Sequence, residues 1–290
     1  MHHVSGSRSW FKFISATLAL AASLCVSSLA SAQHVEGLFV IENSRFFAVN
    51  PQIYNNWTQR GGVDWANTVA MASDGFWANQ IQVIEDQTLW EIDPENGRFA
   101  RFPGPAGITG TWLGQARMAV TFYNRQPTLF ITESGRLWRV DWNGNYVSLG
   151  KGWDGATAIG ASNSRLWITQ ANRLWAVNLE GQYTMVDNGY WGGDVFMTSN
   201  AEQRAQGTAL YVVQSGVLWK VDTATLVRTN LTGTIWDGTT SISYLSGSVY
   251  IIRKQRLYQV NLSNNAVTLH SDQVWTGPTF MVHQTGTLPL

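Results

Sequence analysis

Three short stretches of this 290-residue chain place an indole, a carboxylate and unhindered backbone together: Trp153-Asp154-Gly155, Trp236-Asp237-Gly238, and Trp191 with Gly192 and Asp194. That combination suits a sugar. A pyranose stacks its C–H face on an indole, its hydroxyls want fixed acceptors, and Gly155, Gly238 and Gly192 permit close backbone approach. The same residues have a structural alternative, in which the indoles wedge neighbouring units together and Asp-Gly is an ordinary turn.

Other reactive side chains are dispersed. Glu85, Asp86, Asp93, Glu95, Glu133, Asp141 and Asp222 fall at strand ends or hairpin turns, where solvated turn positions are expected, and no two stand out as a general acid and base. No serine has a nucleophile-elbow context, and no phosphate loop occurs. The chain is therefore expected not to be an enzyme, a hydrolase or lyase at a channel mouth being the minor alternative. His34, His270 and His283 have no ligand-spaced partners, so neither a metal nor another cofactor is expected; His283 is placed to face a central channel. The run from Asp141 to Asn145 lacks the downstream carboxylate of a calcium loop and reads as an Asn-Gly hairpin.

The elements that must position these residues recur six times. A strand pattern appears as RFFAVN (45–50), TLWEID (88–93), RLWRVD (136–141), RLWAVN (173–178), VLWKVD (217–222) and RLYQVN (256–261). After each copy stands one of Trp65, Trp112, Trp153, Trp191, Trp236 and Trp275, spanning 210 residues in five intervals, an average of 42. That period belongs to a four-stranded propeller blade. The unit after Trp153 shows the plan: a small apolar inner strand (157–162), a hairpin of two strands (165–170 and 173–178), then a more polar outer strand (182–186). After Trp275 only an inner strand (279–284) remains, while 37–50 and 53–59 supply three strands that lack one. The expected fold is all-β, a six-bladed β-propeller closed by pairing of N- and C-terminal strands in the last blade, which leaves no open edge at the seam.

Arg8 and Lys12, an apolar stretch from Ile14 to Leu29, and Ala30-Ser31-Ala32 have the form of a secretory signal. The expected organisation is a signal peptide over 1–32 and a single domain over 33–290, secreted or periplasmic after cleavage near Ala32 and without a membrane anchor. Cys25, the sole cysteine, lies in the signal, so the domain relies on its core rather than on disulfides. With 19 basic and 19 acidic residues there is no basic excess for a nucleic-acid partner.

The run LGKGWDGATAIGASNSRLWITQANRLWAV (149–177) resembles a tachylectin-2-type repeat and, more distantly, the tectonin-repeat lectins. The resemblance implies a propeller lectin that binds N-acetylated amino sugars in equivalent pockets between blades, with Gly152, Trp153, Trp191 and Trp236 at the matching turn positions. The tachylectin-2 type has five blades where six are counted here, and the positions of the phenylalanines that follow its tryptophan turn are held here mostly by Thr, Ala, Ile or Met. The expected partners are glycans or cell-surface glycoconjugates, bound multivalently. The alternative is an extracellular protein-interaction scaffold without sugar recognition.

Overall fold

The computed structural model describes residues 34–61, 65–73, 80–102, 112, 115–162, 164–186, 189–201, 207–233 and 236–287. The expected export signal with Cys25, and most of the inserted segments at 102–110 and 200–207, lie outside them. Residues 35–286 form one compact unit; of the other unit, residues 1–34 and 287–290, only His34 and Thr287 are described, as the end residues of two strands.

Six four-stranded antiparallel sheets make a six-bladed β-propeller, and no helix occurs among the described residues. Blades one to five are sequential. Their inner strands are Thr68–Ser73, Arg117–Tyr123, Ala158–Ser162, Val195–Ser199 and Thr239–Leu245. Blade six is composite: Thr279–Thr287 is its inner strand and pairs with His34–Glu42, followed by Arg45–Val49 and Trp57–Arg60. Closure thus uses both ends of the described chain, as the repeat count requires. The outer strand of this blade is shorter than the stretch 53–59 suggests. Asn50 N–H donates to Asn56 O (2.9 Å), Asn50 Oδ1 accepts from Gln52 N–H (2.9 Å), and Asn55 adopts φ +54°, so 51–55 form a loop before pairing starts at Trp57.

The second and third strands of every blade meet at a two-residue turn with both residues at positive φ: Asn43-Ser44, Asp86-Gln87, Ser134-Gly135, Ala171-Asn172, Ser215-Gly216 and Lys254-Gln255. These are type I′ turns, whose twist matches that of the strands they join. In blade three the turn sets Leu166 opposite Val177 and Ile168 opposite Trp175. The core consists of six apolar clusters, one at each blade junction. Each sheet is apolar on both faces because each is sandwiched between two others, and this explains the near-continuous apolar character of the second strands, such as ALYVVQ at 209–214.

Candidate functional site

The six turn tryptophans are buried, between 1 and 5% exposed. Each indole meets a side chain of its own blade. Trp65 packs edge-on against Phe99 (5.6 Å between ring centres), Trp112 against Trp138 (6.3 Å), Trp236 against Tyr258 (5.9 Å) and Trp275 against Phe47 (5.5 Å). Trp153 touches both Trp175 (6.4 Å) and Tyr183 (5.4 Å). Blade four replaces the outer-strand aromatic with Arg228, whose guanidinium carbon lies 4.3 Å from the Trp191 ring centre and 3.6 Å from that of Trp219. Burial draws the Arg228 pKa down, and the two indole faces supply the electrostatic partner that a carboxylate would otherwise provide.

Five of the turns, those at Trp65, Trp153, Trp191, Trp236 and Trp275, are also braced at both ends among the described residues. The backbone N–H of each reaches back to the hairpin of the preceding blade: Trp65 to Ser44 O (3.1 Å), Trp153 to Gly135 O (3.0 Å), Trp191 to Asn172 O (2.9 Å), Trp275 to Gln255 O (2.9 Å), and Trp236 to Gly216 O. From its own blade, the last residue of the second strand reaches forward to the turn. Glu85 accepts from Asn67 N–H (2.9 Å) and Thr68 Oγ1 (2.6 Å), and Glu42 accepts from Thr276 N–H (2.6 Å). Gln170 donates to Gly152 O (3.1 Å) and Asp154 O (3.0 Å), Gln214 to Gly192 O (3.0 Å), and Arg253 to Asp237 O (3.2 Å). The residue type follows the group to be satisfied. Carboxylates stand where the turn offers N–H groups, and amides or a guanidinium where it offers carbonyls. Glu85 and Glu133 were expected as solvated turn residues, yet they are 6 and 5% exposed, and Glu42 is 4% exposed. This latch was not read from the sequence. The available signal was position: each latch residue lies five places before the aromatic of the third strand, from Glu42 and Phe47 to Arg253 and Tyr258.

The expected site residues therefore separate. The rings of Trp153, Trp191 and Trp236 face inward, whereas Asp154, Asp194 and Asp237 are exposed. In the turns at Trp153 and Trp236, the tryptophan carbonyl accepts from the N–H three residues later (3.2 Å in both), and Gly155 and Gly238 adopt φ of +69° and +76°. Those are type II turns, whose third residue must tolerate positive φ. The Asp154 carboxylate lies against Gly135: a Cβ there would stand 2.2 Å from Asp154 Oδ1. A cavity of about 230 Å³ opens at this junction, lined by Asp154, Gly155, Glu133 and Thr132, whose buried Oγ1 has no hydrogen-bond partner among the described residues.

The inner strands begin around the same end of the central channel, and there they line a mouth of about 570 Å³. All six blades contribute, through residues including Thr68, Arg117, Thr157, Asp194, Thr240 and Thr279. Below it, Met71, Met118, Ile159, Met197, Ile242 and Met281, each six residues after its turn tryptophan, form an apolar girdle that also borders a second cavity of about 140 Å³. His283 lines that lower cavity, as its inner-strand position suggested. Its Nδ1 lies 3.3 Å from Ser243 Oγ, and burial pushes its pKa down to about 4, leaving the ring neutral at neutral pH. Among the described residues no group of three or more His, Cys, Asp or Glu could hold a metal ion. Asp141 is occupied by its own hairpin, accepting from Asn143 N–H (2.9 Å) and Asn145 N–H (2.8 Å).

No family model and no curated protein matches the sequence. Solved structures do share its fold. A chain of the nidogen/laminin complex aligns at a TM-score of 0.65 with 11% identity, over 85% of this chain and 98% of that one. A protein of unknown function from Bacteroides thetaiotaomicron aligns at 0.57 with 12% identity, over 84% and 66%, and one from Bacteroides caccae at 0.53 with 12% identity, over 86% and 98%.

Proposed function

We propose that this chain is an exported, non-catalytic recognition propeller that binds a protein partner at the face where its inner strands begin. The observation that carries the reading is the channel mouth: about 570 Å³, polar at its rim, apolar at its floor, and built from all six blades. Concave sites of this size with a few convergent polar groups are where propellers can receive a protruding group. The burial of the six indoles favours the mouth over the tryptophan turns, because a ring braced on its own blade offers no open face for stacking. At the level of fold, a propeller of this kind is a component of the nidogen/laminin complex, which fits the reading without identifying a partner.

Affinity capture from the protein's native surroundings tests it, comparing the wild type with Thr240→Trp, a bulky substitution at an exposed mouth residue. A partner retained by the wild type, lost with Thr240→Trp and indifferent to free sugars is the expected result. Undiminished capture by Thr240→Trp would sink the mouth as the site. The sugar-binding reading keeps one specific support, the cavity beside Asp154 with its Thr132 hydroxyl unpartnered among the described residues. It predicts a glycan-array signal that Asp154→Ala abolishes.

A further inference from the structure

We propose that the channel mouth is a receptor for a single carboxylate group, gripped by the guanidinium of Arg117. The inference rests on the reading of the mouth as the partner site and names the chemistry recognised there. Arg117 begins the inner strand of blade two, where the other five blades carry Ala70, Ala158, Phe196, Ser241 and Phe280. It is thus a departure from the repeat rather than part of the frame. The guanidinium donates from Nε to Thr157 O (2.9 Å) and from Nη1 to Ala116 O (2.8 Å). Those two carbonyls fix its plane across the junction of blades two and three while using two of its five N–H donors. Nη2 has no protein partner among the described residues, nor does Arg117 form an ion pair there; the pair that does occur joins Arg256 and Asp272 on the surface.

A half-buried cation without a counter-ion is costly, and burial draws the Arg117 pKa down. An anion entering the mouth would relieve that cost, and the two Nη2 hydrogens with the remaining Nη1 hydrogen can serve the oxygens of a carboxylate. One cation suits one negative charge. Among the described mouth residues Arg117 is the sole base and Asp194 the sole acid, so a doubly charged phosphate would meet one attraction and one repulsion. The apolar girdle lies directly beneath, where a free acid can rest its aliphatic end, whereas an aspartate or glutamate on a protein loop enters carboxylate first with its stem toward solvent.

The test uses the whole protein with ¹³C-labelled methionine methyls, because Met71, Met118, Met197 and Met281 are built-in reporters under the mouth. Acetate, the capped peptide Gly-Asp-Gly and its Gly-Asn-Gly counterpart are titrated up to roughly 50 mM. Acetate and the Asp peptide should shift the girdle methyls saturably, the peptide more tightly if the source is a side chain, and the Asn peptide should not. Arg117→Gln should weaken the response about 10- to 150-fold, the range for losing a charged hydrogen-bonding pair. Arg117→Lys should weaken it less, and Asp194→Asn should tighten it by up to ~5-fold. Melting curves and the unliganded methyl spectrum show whether each variant keeps the fold; if Arg117→Gln does not, Arg117→Lys and Asp194→Asn decide alone. Equal responses to the Asp and Asn peptides, or no response to any probe, overturn the carboxylate. Neither result touches the partner-binding reading, which the Thr240→Trp capture decides separately.

Discussion

Replacing Trp275 by alanine separates a packing joint from a ligand platform. The ring is 1% exposed in the cluster between blades five and six, edge-on to Phe47 at 5.5 Å and grouped with Leu38, Tyr250, Leu257 and Met281. Its Nε1 has no hydrogen-bond partner among the described residues, so the cost of the substitution is that of packing. A buried indole of roughly 150–250 Å² represents ~4–6 kcal/mol at 25 cal per Å². Truncation of a large core aromatic costs about 3–5 kcal/mol, the range expected here. In a domain of this size each kcal/mol moves the melting temperature by about 2–4 °C, so Trp275→Ala should melt about 6–20 °C lower. Trp275→Phe keeps the edge-to-face contact and should lose about 1–2 kcal/mol. Thermal unfolding by circular dichroism, with urea titration for the free energy, provides both numbers. A Trp275→Ala melting point within about 2 °C of the wild type would refute the assignment of the turn tryptophans to the joint.

Three further outcomes are expected. Arg228→Ala should lower urea stability by about 1–3 kcal/mol, since it empties the space between Trp191 and Trp219 and leaves the Gln214 carbonyl without its Nη2 donor at 3.0 Å, and Arg228→Met should recover part of the packing. Gly135→Ala is destabilising twice over, through φ +71° and a Cβ 2.2 Å from Asp154 Oδ1; adding Asp154→Ala should relieve the clash and leave about 1 kcal/mol of backbone strain, as a double-mutant cycle measures. Burial pushes the Glu91 carboxyl up to about 7 from 4.5, so its contribution is full below pH 4.5, falls as pH rises from 4.5 to 7 while only the unfolded carboxyl ionises, and is level above. Glu91→Gln should therefore be more stable than wild type by about 1–2 kcal/mol near pH 8, the full shift being discounted for the solvent that still screens this half-buried carboxyl, with the gap gone near pH 4, and a gap independent of pH in urea titrations would contradict the shift.

Blade number, closure and strand order were legible because a propeller is built from local pairings. Each blade is two or three hairpins in succession, and the I′ turns, the alternation along RLWITQ and the 42-residue period are all short-range signals. Even the composite sixth blade follows from counting strands that lack partners. The candidate site was less legible. Asp-Gly after Trp153 and Trp236 marks a turn correctly, but composition is the same whether the indole is open to a sugar or pressed on Trp175 or Tyr258. The latch escaped because its members, Glu42, Glu85, Gln170, Gln214 and Arg253, share a position and not a charge. Each answers a backbone N–H or carbonyl that only the folded turn presents.

By itself, then, the sequence determined the repeat, the all-β class and the six-bladed count, since these depend on contacts between residues a few to a few tens of positions apart. Tertiary structure decided which faces of the repeat are spent on the joints and which remain open. Arg117, Thr157, Asp194, Thr240 and Thr279 are scattered over 163 positions of sequence and belong to five blades, and ring closure alone sets them around one mouth. Closure is also what presses each tryptophan turn between two blades, because a wedge acquires a second wall only when the neighbouring blade is in place.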